Sequence, residues 1–382
     1  MKTVCVVTGT RAEYGLSRPL MRRIAASDSL HLQILVSGVH LRDVYGETYK
    51  CILADGFHPD AYVPLELLKA TSSEMGSAVG HMLVELSHRF EELRPDVVVV
   101  LGDRIEAFAA AAAAVFAGIC LAHVHGGDRT RGGFDESMRH AITKLAHVHF
   151  AATEKSAERI RNMGERPEHV HVVGAPGLDE ALAGPLLDRD ELGTRLGIDL
   201  STPPIVVLQH PVSTRSDHAA DEMTETMEAV VGGELPVIVI HPNNDAGGRH
   251  MIAVIKTYEV RKNVTTFPSI PRTAYLSLLG HASVLVGNSS SGVIEAPSFK
   301  LPVVNVGERQ AGRERARNVI DVPPEREAIA AAIHKALHDK DFRQSLEALQ
   351  TPYGDGHASE RIVAVLEKID IDHDLIQKQI AY

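Results

Sequence analysis

The sequence predicts an α/β protein built as two doubly wound parallel-sheet domains, and three observations carry that expectation. Short runs of Val and Ile without polar alternation recur along the chain, as strands covered on both faces require. The stretches between them place apolar residues at helical spacing, and strands that alternate with helices imply parallel βαβ units. At 382 residues the chain is too long for one ordinary core, which makes two domains the natural division.

In the first series the apolar runs are TVCVV (3–7), LQILV (32–36), DVVVVLG (96–102), ICLAHVH (119–125), HVHFAAT (147–153) and HVHVVG (169–174). Ahead of the third run, Met75, Val79, Met82, Leu83, Leu86, Phe90 and Leu93 line one helix face, with Glu85, His88, Arg89 and Glu92 elsewhere. After Gly174 the chain becomes rich in Pro, Gly and Asp through STPP, which reads as an interdomain connection containing a short helix. A second series follows: PIVVLQH (204–210), LPVIVIH (235–241), NVTTF (263–267), ASVLVGN (282–288) and LPVVNVG (301–307), with helices from about 324. The expected division is an N-terminal domain over residues 1–178, a C-terminal domain over 200–365 and a C-terminal helix over 366–382 that packs back on the first. Ligands of such sheets bind at the carboxyl ends of the strands, here in the cleft expected between the domains.

Composition removes several function classes. The net charge of -11 argues against a nucleic-acid partner, because phosphate neutralisation needs a basic excess. Trp is absent and aromatics are only 4%, so no platform exists for stacking single strands. No apolar run approaches the roughly 20 residues of a membrane helix. Met-Lys-Thr-Val runs straight into strand pattern without a signal-peptide core, so a cytoplasmic location is expected. Cys5, Cys51 and Cys120 lie far apart, two of them inside apolar strands, and read as small core residues.

Two regions carry chemistry. GNSSSGVIE, from Gly287, follows a buried strand and opens a helix, whose N-terminal amides and dipole suit phosphate oxygens. Ser289 and Ser290 are the expected donors, or else simply helix caps, and Glu295 is placed to take ribose hydroxyls, or else is a solvated helix acid. Arg309 and Arg313 follow the next strand and suit bidentate phosphate contacts, or pair with Glu308 and Glu314. TGTRAEYG, from Thr8, has the same strand-turn-helix form and adds Arg11, but is neither a dinucleotide nor a P-loop signature.

The second region is HVHGGDRTRGGFDESMRH, His123 to His140, with LGDR just before the preceding helix. The pairs His123/His125, His147/His149 and His169/His171 invite a metal, but each lies in a different strand and no spacing supplies a third ligand. We read them as ordinary satisfied histidines, with one or two in the active cleft. Asp103, Asp128 and Asp135 sit at strand ends that converge, and clustered carboxylates split their proton affinities into an acid and a base. Asp135 is equally placed to cap its helix.

Together the motifs resemble the hydrolysing UDP-N-acetylglucosamine 2-epimerases, which open sialic-acid and legionaminic-acid biosynthesis. The matching pieces run in family order over about residues 3 to 320: TGTRAEYG, SGVHL with YGETY, LGDRIEAF, HVHGGD, FDESMRHAITKLAHVHF, VVGAPGLD, LQHPVS, HPNNDAG, GNSSSGVIEAPSFKLPVVNVGERQAGR and RNVI. The resemblance implies two Rossmann-like domains of the glycosyltransferase-B type and no metal or redox cofactor. It places Arg11, His210, Asn243, Ser289, Ser290, Glu295 and Arg309 around UDP, with Arg104 near the diphosphate, and makes Asp103, Asp128 and Asp135 the acid/base set. The family usually has Glu where this chain has Asp128, one methylene longer.

The implied reaction converts UDP-N-acetylglucosamine to N-acetylmannosamine and UDP through a glycal. The expected partners are the UDP-sugar and further copies of the chain in a dimer or tetramer. Alternatives are a hydrolysing epimerase of a UDP-2,4-diacetamido-2,4,6-trideoxy sugar, a non-hydrolysing epimerase, and a glycosyltransferase of the same fold. The non-hydrolysing enzymes normally carry Pro after the Arg of the first loop, where this chain has Ala12. A glycosyltransferase, or a non-catalytic nucleotide-sugar sensor, has little use for three clustered acids.

Overall fold

The computed structural model describes residues 1–42, 47–65, 72–130, 135–184, 186–242 and 245–382. The chain forms two units: Met1–Asp128 with Phe134–Glu180 and Tyr353–Tyr382, and Arg129–Gly133 with Ala181–Pro352. In the first, β1 (Lys2–Thr8), β2 (Leu30–Gly38), β3 (Ala61–Pro64), β4 (Val97–Leu101), β5 (Cys120–Val124), β6 (Val148–Ala151) and β7 (Val170–Val172) form one sheet, in the order β3-β2-β1-β4-β5-β6-β7. Every pairing is parallel. The second unit repeats the plan with β8 (Ile205–Leu208), β9 (Val237–Ile240), β10 (Val264–Phe267), β11 (Val284–Gly287), β12 (Val303–Val306) and β13 (Val319–Val322), in the order β10-β9-β8-β11-β12-β13.

Strand alternation builds two cores per sheet. Val98 and Val100 pack with Met82, Leu86, Phe90 and the alanines of the helix Ile105–Phe116, while Val97 and Val99 face Leu20, Met21 and Ile24 of the helix Arg11–Ala25. Cys5 and Cys120 are buried in these layers, and burial pushes the Cys120 thiol up to about 12. Among the described residues no helix is long and apolar enough to cross a membrane.

Two strands have no counterpart among the apolar runs. β3 and β13 are sheet edges: Tyr62 and Pro64 are exposed and β13 is only partly covered, so neither needs unbroken apolar sequence. The connection after Gly174 holds two helices, Gly177–Ala183 and Arg189–Leu196, the second opened by a reciprocal Asp188–Glu191 cap.

The second unit ends at Pro352, earlier than the expected residue 365. The helix Ala358–Lys368 buries Ile362, Val363 and Leu366 in the core of the first unit, with Leu20 and Ile24. Nor is 366–382 one helix. Only the turn His373–Ile376 follows, because the tail is drawn into polar contacts. Lys378 donates to the carbonyls of Thr143, Lys144 and Ala146 at the end of the helix Asp135–Leu145, and pairs with buried Glu165 at 2.5 Å.

Burial alone would raise the pKa of Glu165, but hydrogen bonds from His149, Lys144 and Lys378 hold the carboxyl at about 2. Its unfolded value is near 4.5. A lowered folded value stabilises above pH 4.5, and that contribution is lost as pH falls towards about 2. Glu165→Gln is therefore expected to cost about 3 kcal/mol near neutral pH, since it leaves Lys378 and Lys144 side by side without the carboxylate they share. Urea titrations at several pH values should show the gap to wild type closing between about pH 4.5 and 2.

Candidate active site

In each sheet the strand order reverses once, between β1 and β4 and between β8 and β11, and ligands of such sheets bind at these reversals. The loops after β1, β4 and β5 in the first unit carry Arg11, Asp103, Arg104 and Asp128. Those after β8, β11 and β12 in the second carry His210, Ser289, Ser290, Glu295 and Arg309. Asn243 lies outside the described residues.

The first unit assembles its acids around Arg139, a residue whose place the sequence alone did not indicate. Arg139 is 1% exposed; it ion-pairs with Asp103, holds Glu136 at 2.8 Å and donates to the backbone carbonyl of Asp128 at 2.6 Å. Burial opposes its charge, and Asp103, Asp128 and Glu136 more than offset that cost. Asp135 opens the same helix one turn earlier. Asp103 and Asp128 are thus brought onto one guanidinium, and Asp135 onto the helix that supplies it.

Asp128 is a buried and well-held acid. Its carboxylate accepts from Ser156 Oγ at 2.9 Å and contacts His125 Nδ1 at 3.0 Å. The turn it closes requires Gly127, whose φ is +73° and where a Cβ would collide with the Ser156 carbonyl. Arg159 fixes that turn from outside, donating to the Gly127 carbonyl at 2.6 Å. His125 has a φ of +66°, outside the strand alternation of β5.

Other histidines of the His-x-His pairs have structural partners. His123 Nε2 bonds the Gly102 carbonyl at 2.7 Å, and burial holds the ring down at about 3. His147 Nδ1 accepts from the Leu121 amide, and His149 meets Glu165. Among the described residues no group of three His, Cys, Asp or Glu is placed to hold a metal ion.

Beside β1 lies a second pair of acids, one in TGTRAEYG and one in LGDRIEAF, that the sequence pattern alone does not mark. Glu13 and Glu106 are buried, Glu13 accepts from the Gly9 amide, and Glu106 sits 3.5 Å from Arg104 Nε. Burial, then the charge of Glu106, pushes Glu13 up to about 8. Arg104 is therefore anchored from beneath by an acid, while Arg11 begins its helix behind the Thr10 cap.

In the second unit Asn288 ties the loops together. Its side chain accepts from the His210 amide at 2.7 Å and donates to the His210 carbonyl at 2.9 Å; its own carbonyl accepts from Gln310 and, at 3.3 Å, Arg309. Gly287 just before it has φ +134°, and a Cβ there would strike the Leu208 carbonyl. Glu295 is not a solvated helix acid: it is 4% exposed and pairs with Arg272 at 2.7 Å. The helix after the serines, Ser291–Ile294, has only four residues, so its dipole is weaker than the sequence suggests. Ser289 Oγ accepts from the Ser291 amide and Ser290 stands at the cap.

The sequence model of the UDP-N-acetylglucosamine 2-epimerase family matches residues 22–367. The chain belongs to this epimerase family. A Legionella pneumophila relative, "UDP-N,N'-diacetylbacillosamine 2-epimerase (hydrolyzing)", is 40% identical over 100% of both chains. The Neisseria meningitidis "UDP-N-acetylglucosamine 2-epimerase" is 33% identical over 88% of each. Among solved structures, that of UDP-GlcNAc 2-epimerase from Neisseria meningitidis bound to UDP-GlcNAc superposes with a TM-score of 0.82, at 20% identity, over 97% of this chain and 100% of that one. The two parallel-sheet units are thus those of the epimerase fold, of glycosyltransferase-B type. The network around Arg139 and the loops held by Asn288 lie at the strand ends of the two sheets.

Proposed function

We propose that the protein is a hydrolysing UDP-sugar 2-epimerase whose substrate is UDP-N,N'-diacetylbacillosamine, a 2,4-diacetamido-2,4,6-trideoxy sugar. The observation that carries this reading is the end-to-end 40% identity to the Legionella pneumophila relative. The carboxylates gathered at the ends of β4 and β5 supply the chemistry. The C2 proton of such a sugar has no adjacent carbonyl to acidify it, so direct removal is very costly. Loss of UDP from C1 with removal of that proton gives a glycal; water then adds at C1 and a proton returns to C2 from the opposite face. Asp103, Asp128 and Asp135 are the acids that take part in the proton transfers, directly or through a neighbouring group. Arg11, Arg104, His210, Asn243, Ser289, Ser290, Glu295 and Arg309 hold the nucleotide and stabilise the departing diphosphate.

UDP-N-acetylglucosamine is the second reading, favoured by the Neisseria meningitidis relative. Proton NMR of the protein with each nucleotide sugar separates the two. The expected result is UDP and free 2,4-diacetamido-2,4,6-trideoxymannose from the first sugar and little turnover of the second. N-acetylmannosamine from UDP-N-acetylglucosamine at equal or higher kcat/KM would reverse the choice, and a UDP-bound epimer would exclude hydrolysis. Ser290→Ala should weaken UDP binding by about 1–2 kcal/mol in calorimetry, through one lost charge-assisted hydrogen bond. Unchanged affinity would place the diphosphate elsewhere.

A further inference from the structure

We propose that His125 is a proton-transfer residue of this reaction, the base that removes the C2 proton, and that Asp128 acts through it as a positioning residue. The inference rests on the function proposed above and assigns one of its proton transfers to an atom.

Three observations converge on His125. It follows β5 directly, and β5 pairs with β4 up to Leu101–Val124, so His125 stands beside the loop that carries Asp103. Its φ of +66° is a costly conformation for a residue with a side chain, and such strain concentrates where a side chain must be aimed. The turn maintains it: the His125 amide donates to the Phe150 carbonyl at 3.0 Å.

The third observation is the direction of the hydrogen bonds. Asp128 Oδ1 accepts from Ser156 Oγ, and the charge of Arg139 favours the ionised carboxylate. An ionised carboxylate only accepts, so His125 Nδ1 carries the hydrogen of the 3.0 Å bond to Oδ2. The Nε2 lone pair is therefore the basic site of the neutral ring. Among the described residues nothing takes Nε2, and the side chain keeps 8% of its surface exposed. By contrast, the Asp103 carboxylate is held by Arg139 and both oxygens of Asp128 are engaged. A carboxylate that orients and supports an imidazole is a recurrent arrangement for a general base.

In the elimination, the C2–H bond breaks, its electron pair forms the C1–C2 double bond, and the C1–O bond breaks with its pair leaving on UDP. The proton goes to Nε2, and Asp128 stabilises the imidazolium that results. In the hydration, water supplies hydroxyl to C1 and gives up its other proton to a neighbouring carboxylate, while a protonated acid group delivers a proton to C2 and is later reprotonated. Imidazolium then returns its proton to solvent.

The test compares wild type, His125→Asn, His125→Gly and Asp128→Asn with both nucleotide sugars in D2O, following UDP release and deuterium at C2 of the product, with UDP affinity measured separately. Asn and Gly both accept positive φ, so neither replacement strains the turn. His125→Asn should lower kcat by about 100-fold or more with UDP affinity within a few-fold. His125→Gly should regain turnover with added imidazole. Asp128→Asn should lower kcat about 10- to 100-fold with KM little changed. Turnover by His125→Asn near that of wild type overturns the assignment and leaves the function intact, as does a loss in His125→Gly that imidazole does not relieve. Wild type that releases UDP from neither sugar removes the function and this inference together.

Discussion

Asp103→Asn is expected to lower kcat by about 10³-fold while UDP affinity stays within a few-fold. Asn keeps the shape of the side chain but not its charge or its capacity to exchange a proton. It also leaves Arg139, which is 1% exposed, with Glu136 as its remaining charged side-chain partner on the same helix. Of the residues proposed to hold the nucleotide, Arg104 shares the Asp103 loop and the others lie on different loops. Single-turnover kinetics with calorimetry for UDP separates the two effects, and a parallel fall in UDP affinity would make Asp103 a nucleotide ligand instead.

Arg139→Met is expected to destabilise the protein by about 3–5 kcal/mol and to abolish turnover. Met fills similar apolar volume but removes the guanidinium from Asp103, Glu136 and the Asp128 carbonyl, and breaking a buried ion pair from one side costs on this order. Urea unfolding measures the loss. An unfolding free energy within about 0.5 kcal/mol of wild type would mean that water replaces the guanidinium.

How far the sequence discloses this site depends on which part is considered. The central strands are legible because Val97 to Val100 face a core on both sides, leaving no room for polar residues. β3 and β13 are not, because an edge strand is constrained on one face at most. Asp103 and Asp128 are legible as acids at strand ends, yet Arg139 is not: on its helix it reads as one more charged residue, and only the fold turns it inward. Glu13 and Glu106 escape for the same reason. The histidines show a sharper limit. Strand periodicity makes His123 and His125 equivalent, whereas β5 ends at Val124 and the positive φ at 125 sends the two rings to different neighbours.

The turn around Gly127 bears on how such a centre can change over time. Its path is set by main-chain groups, the Gly127 carbonyl under Arg159 and the close approach to the Ser156 carbonyl, rather than by the side chains at 125 and 128. Substitutions at those two positions can therefore exchange acid for imidazole, or a longer acid for a shorter one, without redrawing the loop. The main chain of the turn is held constant while the groups presented at 125 and 128 are left free to vary at a fixed address.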